Sequence, residues 1–268
     1  MTLDRYLARI GYNGPLAPNR TTLDALIRAH VSTIPFSNLE ILRGHDVSLD
    51  PVEVDRKLVA ERRGGYCFEQ NGLFARVLEE IGFAVTPVGG RVTLRAAPGE
   101  VTPVTHMALR VDLDAGPVVA DVGFGALSPT AALALVPGAA QDTPHEPRRI
   151  TDLGGIYAHE AKLGETWTEL YRFTLEEMHR ADQELGNWWT STHPTSRFRQ
   201  VLMVARAAED GARLTLTEEA LTRRARDGTE EVTPVESLPQ LLAILRRAFG
   251  LDYPEDTRLR VPGAPWAG

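Results

Sequence analysis

The feature of this chain that most constrains its fold is a change in hydrophobic spacing near residue 83. Before that point, apolar residues recur at helical spacing. After it, they alternate within short β-branched runs that are broken by Gly and Pro. Helices therefore precede strands along the chain, and a mixed segment follows the strands. This order predicts an α+β protein built from two or three compact lobes.

Start and stop signals define the predicted elements. We predict helices over 3–10, from Thr21-Thr22 to the residue before Pro35, from Asp50-Pro51 to Gly64-Gly65, from Cys67 to Gly82, and over 238–249. We predict strands over 83–94, 104–113, 117–124, 157–163, 167–173, 198–205 and 213–217. The segment 135–147 is rich in Pro and Gly and is predicted as a surface loop, and the tail from Pro254 as an extended arm.

Composition excludes several classes of function. The hydrophobic fraction of 43% and the charged fraction of 24% are typical of a globular protein that buries its core without metal or disulfide. With a net charge of −7 the chain has no general basic field, so we expect neither nucleic acid nor a membrane as partner. No apolar run is long enough to cross a bilayer, and the first residues do not resemble a secretory signal, so we expect a cytoplasmic protein.

The single cysteine, Cys67, follows Arg63-Gly64-Gly65-Tyr66 and directly precedes a helical pattern. Its sulfur is therefore expected near a helix N-terminus, where the partial positive charge and the neighbouring Arg62 and Arg63 favour a thiolate. The two glycines allow close approach of a substrate and leave backbone amides free to stabilise an oxyanion. A cysteine used only for packing is expected within the apolar stripe, so this setting favours a nucleophile.

A nucleophilic cysteine needs a base, and the base needs an acceptor that orients it. His106 opens an apolar strand, and Asp121 lies in an apolar segment on the next strand, where a carboxylate is costly to bury alone. Counted from the turn at Ala115, His106 is nine residues back and Asp121 six forward, so an offset or a bulge is needed to join them. The sequence thus predicts a triad of Cys67, His106 and Asp121 in the order of papain-like and transglutaminase-like enzymes. It predicts no metal site.

The residues around this triad resemble the arylamine N-acetyltransferase family. The string from Arg63 to Asn71 resembles the family's active-site signature almost letter for letter, and the segment 35–39, which contains Phe36, resembles its upstream motif. His106 with its apolar strand and the segment 121–125 resemble the family's histidine and aspartate segments. The segment 191–198 resembles part of its third domain.

The resemblance implies a fold and a reaction. The fold would have a cysteine-proteinase-like core, with a helical first domain (1–83), a β-barrel second domain (84–190) and an α/β lid as third domain (191–268). The reaction would be ping-pong transfer of acetyl from acetyl-CoA, the co-substrate, to a small aromatic amine, hydrazine or N-hydroxyarylamine through acetyl-Cys67. No cofactor would be bound permanently. A homodimer is compatible with the sequence.

The resemblance also assigns the residues that surround the triad. It places three aromatic side chains in the acceptor pocket: Phe36, Phe124 and Phe198. It places three further residues near the CoA: Gly123, Gly125 and His193.

One position departs from the family pattern. The upstream motif commonly has Glu where this chain has Ser37, and that Glu is taken to pair with the arginine that corresponds to Arg63. Glu40 and Glu69 are the candidates to take its place here.

Three other functions stay open at this stage. An amide synthase of the same family would use the same triad to release a polyketide from a carrier-protein thioester. A hydrolytic cysteine peptidase or a transglutaminase-like enzyme would share the order of the triad, but the string from Gly64 to Asn71 argues against it. A binding module that kept the fold without the chemistry is disfavoured by the intact triad.

Overall fold

A computed structural model describes residues 3–264 and 266 of the chain. Within these residues the α-helices are α1 (Leu3–Ile10), α2 (Arg20–Thr33), α3 (Leu39–Leu42), α4 (Pro51–Asp55), α5 (Cys67–Ile81), α6 (Arg180–Thr192) and α7 (Leu238–Phe249). Their order confirms the helical first part, and α7 begins and ends at the predicted residues. None of the helices described is long and apolar enough to cross a membrane.

Local signals explain where α2 and α5 begin and end. The predicted start of α2 at Thr21-Thr22 is wrong, because the side chain of Asn19 accepts a hydrogen bond from the Thr22 amide at 3.0 Å and starts the helix earlier. Helix α5 ends as predicted at Gly82, whose φ of 106° lies in the left-handed region that glycine tolerates.

The third predicted helix begins correctly but ends early. Asp50 accepts hydrogen bonds from the first amides of α4, and the helix continues as a π-helical turn, Arg56–Ala60. It then stops before Gly64-Gly65, which were predicted to end it, because the chain reverses at Arg62 with a φ of 55°. The two glycines are thereby left in the turn that leads to Cys67.

Apart from one short strand, the strands follow α5, and α6 and α7 come later in the chain. The strands are β1 (Phe36–Ser37), β2 (Ala84–Val92), β3 (Val104–Leu113), β4 (Gly116–Ala120), β5 (Leu133–Ala134), β6 (Arg148–Asp152), β7 (Tyr157–Leu163), β8 (Thr166–Glu177), β9 (Val204–Ala207), β10 (Arg213–Leu216), β11 (Ala220–Arg224) and β12 (Glu230–Pro234). The bounds of β3 and β7 are those predicted. Strands β1, β5, β6, β11 and β12 were not predicted.

Seven strands form a nearly closed antiparallel barrel in the order β5-β4-β3-β2-β8-β7-β6. Backbone bridges from Pro137 to Ile150 and from Gln141 to Arg148 join the segment after β5 to β6 and so nearly complete the ring. An apolar cluster that includes Leu170 and Ile150 fills the interior. These contacts confirm the β-barrel that the family resemblance implies.

The remaining strands form a second antiparallel sheet in the order β1-β9-β10-β11-β12, and α7 packs on it through a common apolar cluster. Strand β1, from the helical part, pairs with β9 through Phe36 and Ala205. The predicted strand 198–205 is wrong over its first half. There the side chain of Ser196 accepts a hydrogen bond from the Phe198 amide at 3.3 Å and starts a 3₁₀ turn, Arg197–Arg199.

Helix α6 was not predicted, because its sequence is polar and contains Gly186. The glycine is needed for close packing, since a Cβ at Gly186 would lie 2.7 Å from Cζ of Phe68. The boundary predicted between residues 190 and 191 falls inside this helix. The division into three domains remains a prediction.

The main apolar cluster joins the helical part to the barrel. Leu73 and Phe74 of α5 belong to the same buried cluster as Leu109 and Val111 of β3 and Val118 of β4. Because α5 is packed along these strands, its N-terminal residue lies beside the start of β3. That junction contains the predicted triad.

Candidate active site

Cys67 is the first residue of α5 and is 2% exposed. The helix start is fixed by Glu69, whose Oε2 accepts a hydrogen bond from the Tyr66 amide at 3.1 Å. The Cys67 Sγ lies 3.6 Å from the carbonyl oxygen of Thr105, and Cys67 is close enough to His106 to help raise the pKa of its imidazole. The sulfur therefore lies at a helix N-terminus, as the sequence predicts, and beside β3 of the barrel.

Arg63 contacts an aromatic ring and a backbone carbonyl instead of the carboxylate expected from the family pattern. The guanidinium of Arg63 stacks on the ring of Tyr253, 4.1 Å from its centroid, and donates a hydrogen bond to the carbonyl of Asp252. Glu40 and Glu69, the candidates to replace the Glu that the family has at position 37, both pair with other cations. Glu40 pairs with Arg43 at 2.9 Å, and Glu69 pairs with Lys57 at 2.6 Å.

His106 and Asp121 meet diagonally across the β3–β4 hairpin. Leu109 pairs with Ala120 in a ladder without a bulge, so Asp121, just after β4, faces the position of Ala108 rather than His106. His106 lies two residues further along the same face of β3, within reach of a diagonal contact. Its Nε2 donates a hydrogen bond to Asp121 Oδ2 at 2.8 Å. The predicted offset is present, and a bulge is not needed.

The pKa values of this pair move in opposite directions. Burial disfavours the imidazolium of His106, but the charge and the hydrogen bond of Asp121, together with Cys67, raise the pKa of His106 to about 10. Burial also disfavours the carboxylate of Asp121. The charge and hydrogen bond of His106 and the hydrogen bonds from Asn71 and the Gly123 amide outweigh it and lower the pKa of Asp121 to about 2. At neutral pH the pair is an imidazolium beside a carboxylate.

Asn71 is a site residue that the sequence prediction did not single out. It lies one helical turn after Cys67 and is fully buried. Its Nδ2 donates to Asp121 Oδ1 at 2.9 Å and to the carbonyl of Met107 at 2.7 Å, and its Oδ1 accepts from the Val122 amide at 3.0 Å. The spacing of four residues from the nucleophile, which puts both on one helix face, could have indicated it.

A buried polar cluster behind His106 was also missed. The ring of Tyr171 lies 4.7 Å from the imidazole of His106, and the ring of His159 lies 5.0 Å from Tyr171. Arg148 Nη1 lies 3.3 Å from His159 Nε2, and burial, followed by the charge of Arg148, lowers the pKa of His159. Glu146 pairs with Arg148. The pairing of three consecutive strands brings these residues together, since His159 of β7 lies opposite Tyr171 of β8 and next to the strand that carries Arg148.

The three predicted pocket aromatics divide between two apolar clusters. The rings of Phe36 and Phe198 lie 6.0 Å apart, and Phe36 belongs to the same buried cluster as Cys67. The ring of Phe124 instead packs edge-on against the imidazole of His106, with centroids 5.2 Å apart. The structure therefore brings Phe36 and Phe198 together and places Phe124 beside the base.

The two predicted glycines lie in the turn that follows β4. A Cβ at Gly123 would lie 2.7 Å from the Cα of Cys67, and the Gly123 amide donates to Asp121 Oδ1 at 2.9 Å. Gly125, with a φ of 89°, donates its amide hydrogen to Ser128 Oγ at 2.9 Å. Both amides therefore have partners within the chain, and a role for either glycine in holding CoA remains a prediction.

His193, the third residue predicted near CoA, follows α6 directly. Its ring stacks on Trp189 with centroids 5.1 Å apart, and its Nδ1 lies 2.9 Å from the hydroxyl of Thr195. These contacts lie outside the triad. Among residues 3–264 and 266, no group of three or more His, Cys, Asp and Glu side chains is arranged to hold a metal ion.

Known proteins resemble this chain over nearly its whole length. A sequence model of the N-acetyltransferase family matches residues 20–258. The arylamine N-acetyltransferase of Escherichia coli (strain K12) is 40% identical over 249 residues, which cover 93% of this chain and 88% of that protein. The arylamine N-acetyltransferase of Mycolicibacterium smegmatis is 40% identical over 256 residues, which cover 94% of this chain and 92% of that protein.

A solved structure agrees with these matches. The structure of Mycobacterium marinum arylamine N-acetyltransferase in complex with CoA superposes with a TM-score of 0.89 at 38% identity, covering 93% of this chain and 92% of that chain. Fold and sequence together define an acyltransferase. The chain belongs to the arylamine N-acetyltransferase family, which confirms the resemblance found in its sequence.

Proposed function

We propose that this chain transfers an acetyl group from acetyl-CoA to a small arylamine, arylhydrazine or N-hydroxyarylamine through an acetyl-Cys67 intermediate. Family membership supports the substrate classes, because the relatives are named arylamine N-acetyltransferases and the M. marinum structure is a complex with CoA. The mechanism depends on one observation. The imidazole of His106 is hydrogen-bonded to the carboxylate of Asp121 at 2.8 Å, and Asp121 and Cys67 together raise the pKa of His106.

In the first half-reaction, the Cys67 thiolate attacks the carbonyl carbon of the acetyl thioester and forms the new C–S bond. The carbonyl oxygen becomes an oxyanion near the first amides of α5, which lack acceptors within the helix. When the intermediate collapses, the bond to the CoA sulfur breaks and the His106 imidazolium gives its proton to that sulfur. Free CoA leaves, and neutral His106 stays bonded to Asp121.

In the second half-reaction, the amine nitrogen attacks the acetyl-Cys67 carbonyl. His106 takes the proton that the nitrogen releases, and Asp121 stabilises the imidazolium that forms. The bond to Cys67 Sγ then breaks, which releases the amide and restores the thiolate–imidazolium pair. A base held in one orientation serves both steps, as ping-pong transfer requires.

The aromatic residues support an arylamine as acceptor. Phe36 and Phe198 form an apolar wall in the cluster that contains Cys67, and Phe124 adds a separate apolar surface beside His106. Flat apolar walls of this kind suit an aromatic ring whose amine faces the acetyl group. For CoA, the turn 123–125 and His193 remain the proposed contacts. A cytoplasmic location and a homodimer also remain proposals.

The test is to mix the protein with acetyl-CoA alone and to measure its intact mass. One acetyl group is expected per chain, on a peptide that contains Cys67, and adding isoniazid or an aminosalicylate should remove it as the acetylated amine. Cys67→Ala is the control and should stay unmodified. Loading only by a longer carrier-protein thioester would assign an amide synthase instead, and cleavage of a peptide would assign a hydrolase.

A further inference from the structure

Tyr253, in the segment after α7, lies between two guanidinium groups. The Cζ of Arg63 is 4.1 Å and the Cζ of Arg43 is 5.3 Å from the centroid of its ring. The Tyr253 hydroxyl donates a hydrogen bond to Glu40 Oε1 at 3.0 Å. The side chain is 4% exposed within an apolar cluster, and cation–π attraction is strongest where water is excluded.

The other end of this contact is the turn that leads to the nucleophile. The Arg63 amide donates to the carbonyl of Lys57 at 2.9 Å, and the Ser37 amide donates to the carbonyl of Gly65 at 2.8 Å. The Gln70 side chain donates to that same Gly65 carbonyl at 2.9 Å. The backbone of the turn is thus held by the π-helical turn, by β1 and by α5, while the Arg63 side chain joins it to the C-terminal segment.

From this arrangement we propose that Tyr253 is a positioning residue for acyl transfer. It fixes the turn from Arg63 to Tyr66 through the Arg63 guanidinium and thereby sets where Cys67 enters α5. The inference rests on the proposed function, because it assigns Tyr253 a role in the chemistry of Cys67. Tyr253 touches neither the triad nor the predicted acceptor wall, so its effect passes through the backbone.

The position of the sulfur is sensitive to this turn. Cys67 is the first residue of α5, so a shift of the turn moves its Cα and its Sγ relative to His106, which lies on a barrel strand. The Arg63 side chain has planar stacking and a carbonyl hydrogen bond as its contacts, and the nearby carboxylates are engaged by other cations. Removal of the ring would therefore release Arg63 on the side facing Tyr253.

The experiment compares Tyr253→Leu with Tyr253→Phe. Leucine keeps the site apolar but removes the ring, whereas phenylalanine keeps the ring between the two guanidiniums and removes only the hydroxyl. We expect Tyr253→Leu to lower the rate of acetyl loading and the rate of Cys67 alkylation by iodoacetamide about tenfold, with the KM for acetyl-CoA unchanged. Tyr253→Phe should stay within about twofold of the wild type. Alkylation needs no acyl donor, so it separates this inference from the proposed function.

Two further variants distinguish positioning from general destabilisation. Arg63→Met removes the same contact from the other side. It should reproduce the loss, and the double variant Tyr253→Leu/Arg63→Met should lose no more than either single variant. Leu259→Ala weakens the same apolar cluster without touching Arg63 and should leave the alkylation rate unchanged.

The proposal is overturned if the losses of Tyr253→Leu and Arg63→Met multiply, or if Leu259→Ala slows alkylation as much as Tyr253→Leu. If Tyr253→Leu does not fold, Arg63→Met alone decides, and wild-type alkylation by that variant overturns the proposal. A wild-type protein that is alkylated normally but never loads acetyl would instead refute the proposed function.

Discussion

The carboxylate of Asp121 lies 2.8 Å from Nε2 of His106, although the two residues are not opposite each other in their hairpin. Because Nε2 makes this contact, the second ring nitrogen of His106 faces away from Asp121. Asn71 and the Gly123 amide hold the other oxygen of the carboxylate at 2.9 Å each. The orientation of His106 is therefore set by three elements at once: α5, β3 and the turn after β4.

We predict that Asp121→Asn loses most activity while the fold is kept. The amide can present its NH₂ group to His106 and so favour the wrong tautomer of the imidazole, which is expected to lower kcat by about 10³- to 10⁴-fold. Steady-state acetyl transfer measures this loss. Asp112→Asn is the matched control, because Asp112 lies on the same hairpin and pairs with Arg110 at 2.8 Å, outside the site. Turnover near that of the wild type in Asp121→Asn would remove Asp121 from the mechanism.

We predict that the stability contributed by the His106–Asp121 pair is lost at both low and high pH. The pKa of Asp121 is lowered from 3.8 to about 2 on folding, so its contribution is present above about pH 4 and is lost as the pH falls towards 2. The pKa of His106 is raised from 6.5 to about 10, so its contribution is complete below about pH 6.5 and is lost as the pH rises through 10.

This pH dependence can be checked by urea unfolding at several pH values. The proteins compared are the wild type and the double variant His106→Gln/Asp121→Asn. The difference in free energy of unfolding between the two proteins should be largest between about pH 4 and pH 6.5 and should shrink on both sides. A difference that grows steadily above pH 7 would contradict the raised pKa of His106.

We predict that Asn71→Ala lowers both stability and activity. The variant leaves the carbonyl of Met107 and the amide of Val122 without their side-chain partner in a buried site, which should lower the free energy of unfolding by about 2–3 kcal/mol. It also removes a hydrogen bond to Asp121, so kcat should fall even well below the melting temperature. Glu80→Ala, at an exposed position on the same helix, is the control for helix content and should keep both properties.

We predict opposite outcomes for alanine at two glycines near the nucleophile. A Cβ at Gly123 would lie 2.7 Å from the Cα of Cys67, so Gly123→Ala should displace the turn that holds Asp121 and lose most activity. A Cβ at Gly72 meets only the Cε of Met107, at 4.0 Å. Gly72→Ala, inside α5, should therefore keep activity and raise the free energy of unfolding by about 0.5–1 kcal/mol. Thermal melts and acetyl-transfer assays of both variants test this prediction. Equal losses of activity in Gly123→Ala and Gly72→Ala would contradict it.

The parts of the fold that could be predicted are those with a local pattern. The amphipathic repeat of α7 and the alternating apolar residues of β3 fixed both elements at their observed ends. Helix α6 was missed because Gly186 and many polar residues interrupt the helical spacing of its apolar residues. The glycine allows close contact with Phe68. Strand β12 is exposed throughout and carries no alternation, and a two-residue strand such as β1 gives no signal.

The residues of the candidate site also divide into those with a local sequence signal and those without one. Cys67 could be found because its setting is local, and the offset between His106 and Asp121 could be counted from the turn between their strands. The partner of Arg63 could not be predicted from nearby residues, because Tyr253 comes from the far end of the chain. Arg148, His159 and Tyr171 were missed for another reason: they meet through the register of three consecutive strands, of which β6 was not predicted.

Cys67 is the only sulfhydryl group in the sequence. Oxidation of this atom to a sulfenic acid would therefore find no second thiol in the chain to form a disulfide. Recovery would depend on a thiol from outside the protein, which must reach an atom that is 2% exposed. Under the proposed mechanism, this buried sulfur makes the activity of the chain depend on the thiols around it, because the chain itself supplies no second thiol.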